Sequence, residues 1–241
     1  MVTMVGYGRY CPVAIGTDVI ADRWTPLILR ELFMGSRRFN EIARGLPGIS
    51  RTLLAQRLRH LERKGVLERW PTLRGRGDEY HLTPAGEALQ SVVMAIGEWS
   101  VHWMFTEFDP ADIDPQTLTW WLHRNVEHDN VPPGRVVIEL RYTAPQRVQV
   151  WMVIDRGDVS VCPQHPGYDV DVTVTCATAT LANVFYGLDS WKRAVSSGDI
   201  RLDGPPRLVR ALPRWFRLSP FTQLVTAAAS TPPSNRATTG N

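Results

Sequence analysis

Four arginines, Arg51, Arg57, Arg59 and Arg63, stand in the stretch GISRTLLAQRLRHLER, residues 48–63. A guanidinium presents a rigid fork of N–H donors that fits a phosphate or the major-groove edge of guanine, and the amide of Gln56 is the matching group for adenine. Leucines share the stretch. On a helical wheel Leu53, Leu54, Leu58 and Leu61 gather on one side, and Thr52, Ala55, Gln56, Arg59 and Arg63 on the other. The first side is built to pack, and the second is left to meet a nucleic acid. Ser50, Thr52, Ala55 and Gln56 are short enough near the helix start to enter a major groove, and Arg51, Gln56 and Arg59 can reach base edges. Arg57, Arg63, Arg37 and Arg38 are assigned to phosphate, which positions a protein without reading sequence. A solvated helix face, with Glu62 as an ion-pair partner, is the competing reading.

Charge distribution favours the nucleic acid. The whole chain of 241 residues has a formal net charge of only +3. Residues 37–76, however, hold 11 Lys and Arg against 3 Asp and Glu, whereas residues 101–241 hold 13 against 14. Positive charge confined to one short segment marks a surface that meets phosphates.

The elements that must hold these side chains can be read from local signals. Apolar residues between 13 and 33 predict two helical segments broken at WTP, with Pro26 starting the second. Ser36 is the expected N-cap of a short helix with Phe39, Ile42 and Leu46 as its apolar positions, and Gly45, Pro47 and Gly48 break it. Ser50 is the expected cap of the basic helix, and Gly65 its stop. The pair forms a helix-turn-helix. Strands near 66–70 and 79–82 form a hairpin wing whose tip carries Arg74 and Arg76 beside Gly75 and Gly77, suited to a DNA backbone or an adjacent minor groove. Thr83 caps a long helix with Leu89, Val92, Val93, Ile96, Trp99 and Trp103 on a broad apolar face. Core packing and dimerisation explain that face equally well.

The pattern then changes. TEFDPADIDPQT reads as a linker, and RVVIELRYT, RVQVWMVIDRGDVSVC and YDVDVTVTCAT alternate like half-buried strands. The Arg156-Gly157-Asp158 triplet is a hairpin turn. ATLANVFYGLDS and WKRAVSSG predict short helices before DIRLDG, and PPRLVRALPRWF an amphipathic helix opened by proline. The predicted fold class is α+β. A winged helix-turn-helix domain spans 1–104, a linker 105–115, a second domain with a mainly antiparallel sheet and helices 116–226, and a disordered tail 227–241.

Other chemistries lack support. Three cysteines without C-x-x-C spacing argue against a disulfide framework and a structural zinc. His123, Glu127 and His128 do not have H-E-x-x-H spacing, and neither a nucleotide-binding glycine loop nor a G-x-S-x-G elbow occurs. No apolar run approaches a membrane span, and the N-terminus does not read as a signal peptide. The expectation is a cytoplasmic protein that is not an enzyme and holds no metal or cofactor.

The run from Cys11-Pro12 through Trp24, LILREL, Arg38-Phe39, LPGIS, LAQRL and YHLTPAG resembles the HxlR-type winged-helix transcriptional regulators. That resemblance implies a DNA-binding homodimer on an inverted-repeat operator. It also raises Cys11 as a possible redox sensor, beside the plainer reading of a small buried residue. The second half resembles the sterol carrier protein type 2 fold through VWMVIDRGDVSV, TLANVFYG and AVSSGDIRLDGPPRLVRALPRWF. This implies a hydrophobic tunnel for an apolar small molecule or lipid, with Trp120, Trp121, Trp151, Phe185, Tyr186, Trp191, Trp215 and Phe216 as candidate lining. Ordinary core packing is the alternative for each of them. The expected function is transcription regulation through sequence-specific DNA binding, responsive to that ligand. The alternative is a lipid carrier whose basic half reads no specific DNA.

Overall fold

The computed structural model describes residues 10–72, 77–104 and 113–230. Arg74 and Arg76, residues 105–112 of the expected linker and residues 231–241 of the expected tail lie outside the described residues. The chain divides into two units, Met1–Ile96 and Gly97–Asn241.

In the first unit α1 (Pro12–Ile20) and α2 (Thr25–Phe33) meet at the WTP break, with Pro26 in the first turn of α2, where its missing N–H costs nothing. Helix α3 (Phe39–Arg44) starts later than Ser36 predicts. Ser36 is buried, and the carboxylate of Glu41 instead accepts from the backbone N–H groups of Arg37 and Arg38 at 2.9 and 3.0 Å. A carboxylate reaching back over the first turn satisfies orphan donors and suits the positive end of the helix dipole.

Helix α4 (Arg51–Arg63) begins at Ser50, whose Oγ accepts from the Leu53 N–H at 3.2 Å, and stops before Gly65 at φ 69°. Strands β1 (Leu67–Pro71) and β2 (Asp78–Leu82) pair antiparallel, and the Tyr80 N–H donates to the Arg37 carbonyl at 2.7 Å. The wing is thereby hydrogen-bonded to the segment entering α3. Helix α5 (Pro84–Trp103) is capped by Thr83, whose hydroxyl accepts from the Gly86 N–H at 3.2 Å and donates to the Gly65 carbonyl at 2.6 Å. One side chain thus joins the end of α4 to the start of α5.

The first core takes Ile28, Leu29 and Leu32 from α2, Ile42 from α3, and Leu54, Leu58 and Leu61 from α4, with Val66 and Leu67 at the wing. Of the predicted face of α5, only Leu89 and Val93 pack on this core. Val92, Ile96, Trp99 and Trp103 are exposed, so the core reading fails for those four. Val101, on another side of α5, is buried against Val225 and Ala228 in the second unit. The division between units therefore falls inside α5 and not at the predicted 104/105 boundary.

In the second unit α6 (Pro115–His123) begins where the linker was expected to end, with the Asp114 carboxylate accepting from the Thr117 N–H at 2.7 Å. Strands β3 (Arg135–Tyr142), β4 (Val148–Asp155) and β5 (Asp158–Cys162) form a meander. After β6 (Val172–Cys176) come α7 (Thr178–Phe185), α8 (Trp191–Ser196), β7 (Ile200–Asp203), α9 (Pro206–Ala211) and α10 (Thr222–Ser230). Sheet order is β5-β4-β3-β6-β7, antiparallel except for the parallel β3–β6 pair. Arg156 and Gly157 both take positive φ, 52° and 83°, as a two-residue hairpin turn requires. One sheet face packs Val136, Ile138, Leu140, Val150, Met152 and Ile154 against α6, α7, α8 and α9. Helix α10 runs to Ser230, past the predicted start of a disordered tail at 227; its alanines favour helix, and Val225 and Ala228 are buried.

Candidate nucleic-acid interface

Three leucines orient α4. Leu54, Leu58 and Leu61 are at most 1% exposed, which turns the opposite side of the helix to solvent. Thr52, Gln56, Arg59 and Arg63 lie on that side, exposed, with no side-chain hydrogen bond or ion pair among the described residues. Their donors are uncommitted. Arg51 is also exposed but aimed: its Nη2 donates to Asn40 Oδ1 at 2.9 Å, and its guanidinium lies 4.9 Å from the Phe39 ring centre. Helix α3 thus holds the first arginine of α4. Ser50 is exposed, with its hydroxyl engaged as the cap.

Two arginines expected at phosphate are committed elsewhere. Arg57 is half-buried, and its Nη2 pairs with Asp22 Oδ2 at 2.5 Å. The other oxygen of Asp22 accepts from the Trp24 N–H at 3.0 Å, so this carboxylate ties α4 to the turn that starts α2. Arg37 folds back on its own backbone, donating to the carbonyls of Leu32 at 2.7 Å and Ser36 at 3.2 Å. It caps the negative end of α2, where a cation is favoured. Arg38 is half-exposed, 3.6 Å from Glu79. Arg63 is exposed.

Sequence reasoning missed Asp22, Asn40 and Tyr80. Tyr80 lies on the wing strand with its hydroxyl pKa raised, first by burial and then modulated by Arg69, Asp78, Glu62 and Arg59. Asp22 carried a usable signal, an acidic residue four positions before a helix-opening proline. Nothing local marked its partner.

Cys11 is the N-cap residue of α1 and partly exposed, not buried. Cys176 lies in the second core, where burial pushes its thiol up to about 12 and keeps it protonated at neutral pH. The candidate ligand aromatics do not line one cavity. Phe185 and Trp215 are buried in the helix-side core, with Trp121, Tyr186, Trp191 and Phe216 packed around it. Trp120 is buried 5.1 Å below the Arg124 guanidinium, beside His123. Trp151 lies on the opposite sheet face with Val137 and Val153; strand alternation puts it there, since its neighbours Val150 and Met152 face the helices. Among the described residues no cluster could hold a metal ion, and no helix is long and apolar enough to cross a membrane.

Residues 19–108 match the HxlR-like helix-turn-helix family. The chain is 37% identical over 102 residues to the HTH-type transcriptional regulator sll1512 of Synechocystis, covering 42% of this chain and 75% of that protein. It is 38% identical over 99 residues to the HTH-type transcriptional regulator YvaP of Bacillus subtilis, covering 40% of this chain and 87% of that one. The chain belongs to the HxlR-like helix-turn-helix family. HxlR proteins are transcriptional regulators, not enzymes. The crystal structure of PA1607 shares 40% identity over 42% of this chain and 70% of PA1607, at a TM-score of 0.40. The family match ends at residue 108, so the sheet of the second unit lies beyond it.

The Asp22–Arg57 pair generates a stability test within this HxlR fold. Asp22→Asn and Arg57→Ala should each lower the melting temperature, with a coupling of about 0.5 to 1 kcal/mol in the double-mutant cycle. Arg59→Ala and Arg63→Ala should change stability by less than about 0.5 kcal/mol. Additive effects of the first two substitutions would show that the pair does not hold α4 in place.

Proposed function

We propose that this HxlR-family chain is a sequence-specific DNA-binding regulator that inserts α4 into the major groove of an inverted-repeat operator as a homodimer. The observation that carries the reading is the solvent-facing side of α4, where Thr52, Gln56, Arg59 and Arg63 make no side-chain hydrogen bond or ion pair among the described residues while the leucines behind them are buried. Gln56 and Arg59 read base edges, Arg51 is presented to the same groove by Asn40, and Arg63 and Arg38 hold phosphates. Arg74 and Arg76, which lie outside the described residues and between the two wing strands in sequence, are assigned to the backbone or the neighbouring minor groove.

Two exposed apolar surfaces support the dimer. No residue of α1 is buried, and Val13 and Ile15 are exposed. On α5 the row Val92, Ile96, Trp99 and Trp103 is exposed at helical spacing, which a second copy would cover. Two recognition helices about 34 to 36 Å apart then match successive major grooves.

The second unit is proposed to be a sterol-carrier-like sensor of an apolar molecule. A sheet with helices on one face supports this reading, as do the partly exposed aromatics at the rim of its core, where Trp191 and Phe216 stack 6.4 Å apart. Such a ligand would wedge between helices and sheet at that stack. It changes operator affinity only if it binds the DNA-competent and incompetent conformations unequally.

A gel-shift titration on the DNA upstream of the protein's own gene tests the central reading. Gln56→Ala and Arg59→Ala should each lose about 1 to 3 kcal/mol of discrimination between that DNA and random competitor. Equal loss on both DNAs, or no preference in the unsubstituted protein, would favour a carrier with no operator. Ile96→Glu or Trp99→Glu should convert a dimer into monomer by light scattering at micromolar concentration, and a monomeric unsubstituted protein would contradict the assembly. Titration with fatty acids or sterols should quench tryptophan fluorescence and shift operator affinity by about 5- to 150-fold. Binding without a shift would make the unit a carrier, and no binding would remove the apolar pocket.

A further inference from the structure

Charge in the second unit balances as a whole, but it is unevenly placed. Residues 204–217, GPPRLVRALPRWFR, hold four Arg and no Asp or Glu. This segment is α9 together with the 3₁₀ turn Leu212–Arg214 that follows it directly.

Packing decides which way the side chains point. Leu208, Leu212 and Trp215 are buried in the helix-side core. Arg207, Arg210 and Arg214 stand three and four residues apart, a spacing that gathers them on one side of a helix, away from those three. All three arginines are exposed. The end of the segment is fastened to the chain that follows α6: Asn130 Nδ2 donates to the Arg214 carbonyl at 2.9 Å, and the Glu127 N–H to the Trp215 carbonyl at 2.7 Å. The row is therefore held in place by the core and by backbone hydrogen bonds.

Its charge is uncompensated. Matched arginines stand close by: Arg217 Nε lies 2.8 Å from Glu127 Oε1, and Arg193 Nε on α8 lies 2.6 Å from Asp189 Oδ1. Arg207, Arg210 and Arg214, by contrast, make no side-chain hydrogen bond or ion pair among the described residues. Like charges at this spacing repel and weaken a helix. Three guanidiniums kept in that state on an ordered surface suit an anion from outside the chain.

Repeated phosphates fit that row best. Arg207 and Arg214 are seven residues apart, about 10 Å at the helical rise, enough to meet two or three phosphates that recur every 3.4 Å along a DNA strand. The guanidinium fork matches phosphate oxygens two at a time. An anionic bilayer would also need an apolar face to insert, and the apolar residues of α9 face the core; Leu218, past the row, is exposed. Because the segment lies against the core along its length, it can follow a backbone but cannot enter a groove as α4 can.

We propose that Arg207, Arg210 and Arg214 form a second DNA-contacting surface, which holds the phosphate backbone of duplex DNA without reading its sequence. The proposal rests on the DNA-binding reading of the chain, not on which bases α4 reads. Both units belong to one chain, so DNA held by the first is present to the second at a high effective concentration, and weak phosphate contacts suffice.

The test is fluorescence anisotropy of the full chain, at increasing potassium chloride, on two duplexes of equal length: the DNA upstream of its own gene and a random sequence. Replacing the three arginines together by alanine should flatten the dependence of log affinity on log salt by about 2.7, at 0.9 per phosphate contact, on both duplexes. Preference between the duplexes should not change, and the melting temperature should stay that of the unsubstituted protein. Replacing the same three by lysine should keep the slope, because the charge is what releases counterions. The slope change without any preference in the unsubstituted protein would support the row while counting against the reading by α4. An unchanged slope in the alanine variant would overturn the proposal, and so would a change confined to the upstream duplex. Loss of co-sedimentation with phosphatidylglycerol vesicles in that variant, with its DNA slope unchanged, would make the row a membrane surface instead.

Discussion

The leucine seam of α4 is the constraint on which the DNA-facing half depends. Leu54, Leu58 and Leu61 recur at helical spacing and are buried against α2 and α3, so rotating α4 about its axis would expose them. Each fully buried leucine favours its position by about 1.5 to 3 kcal/mol, far more than any exposed polar contact on the other side could repay. With that rotation fixed, Thr52, Gln56, Arg59 and Arg63 are outward, with no side-chain hydrogen bond or ion pair among the described residues. Hydrophobic packing supplies the orientation, and the exposed donors stay available.

Position along the helix is fixed by different means. The Ser50 hydroxyl sets the first turn of α4, and Thr83 joins the residue that ends it to the start of α5. The Asp22–Arg57 pair fastens the middle of α4 to the turn before α2. Asp22 also holds the Trp24 N–H, so one carboxylate serves two elements. A family of regulators that must present one helix to a groove gains from such fastening, because a loose helix would lose base contacts to side-chain and backbone entropy.

Much of this was legible where the signal is local. Ser50 and Gly65 bracket α4, Pro26 opens α2, and Arg156-Gly157 turns a hairpin, because capping and positive-φ preferences act within a few residues. The commitments of Arg57 and Arg37 were not legible. Arg57 meets Asp22 only through the tertiary fold, and an arginine that caps a helix end looks in sequence like one that awaits a phosphate. Helix α5 shows the same limit: its apolar row was readable, but sequence could not tell that Leu89 and Val93 meet a core while Ile96 and Trp99 face out. The aromatics of the second unit were grouped by abundance, whereas strand parity separates Trp151 from the rest.

The central claim is that the outward side of α4 enters a major groove. Methylation interference on the DNA upstream of the protein's own gene tests it most directly, because the methyl group on guanine N7 projects into that groove alone. Two patches of interference about one helical turn apart are expected, lost at matching guanines when Arg59 is replaced by alanine. Uniform binding without interference at any guanine would show that α4 meets only the phosphate backbone, and the claim would fail.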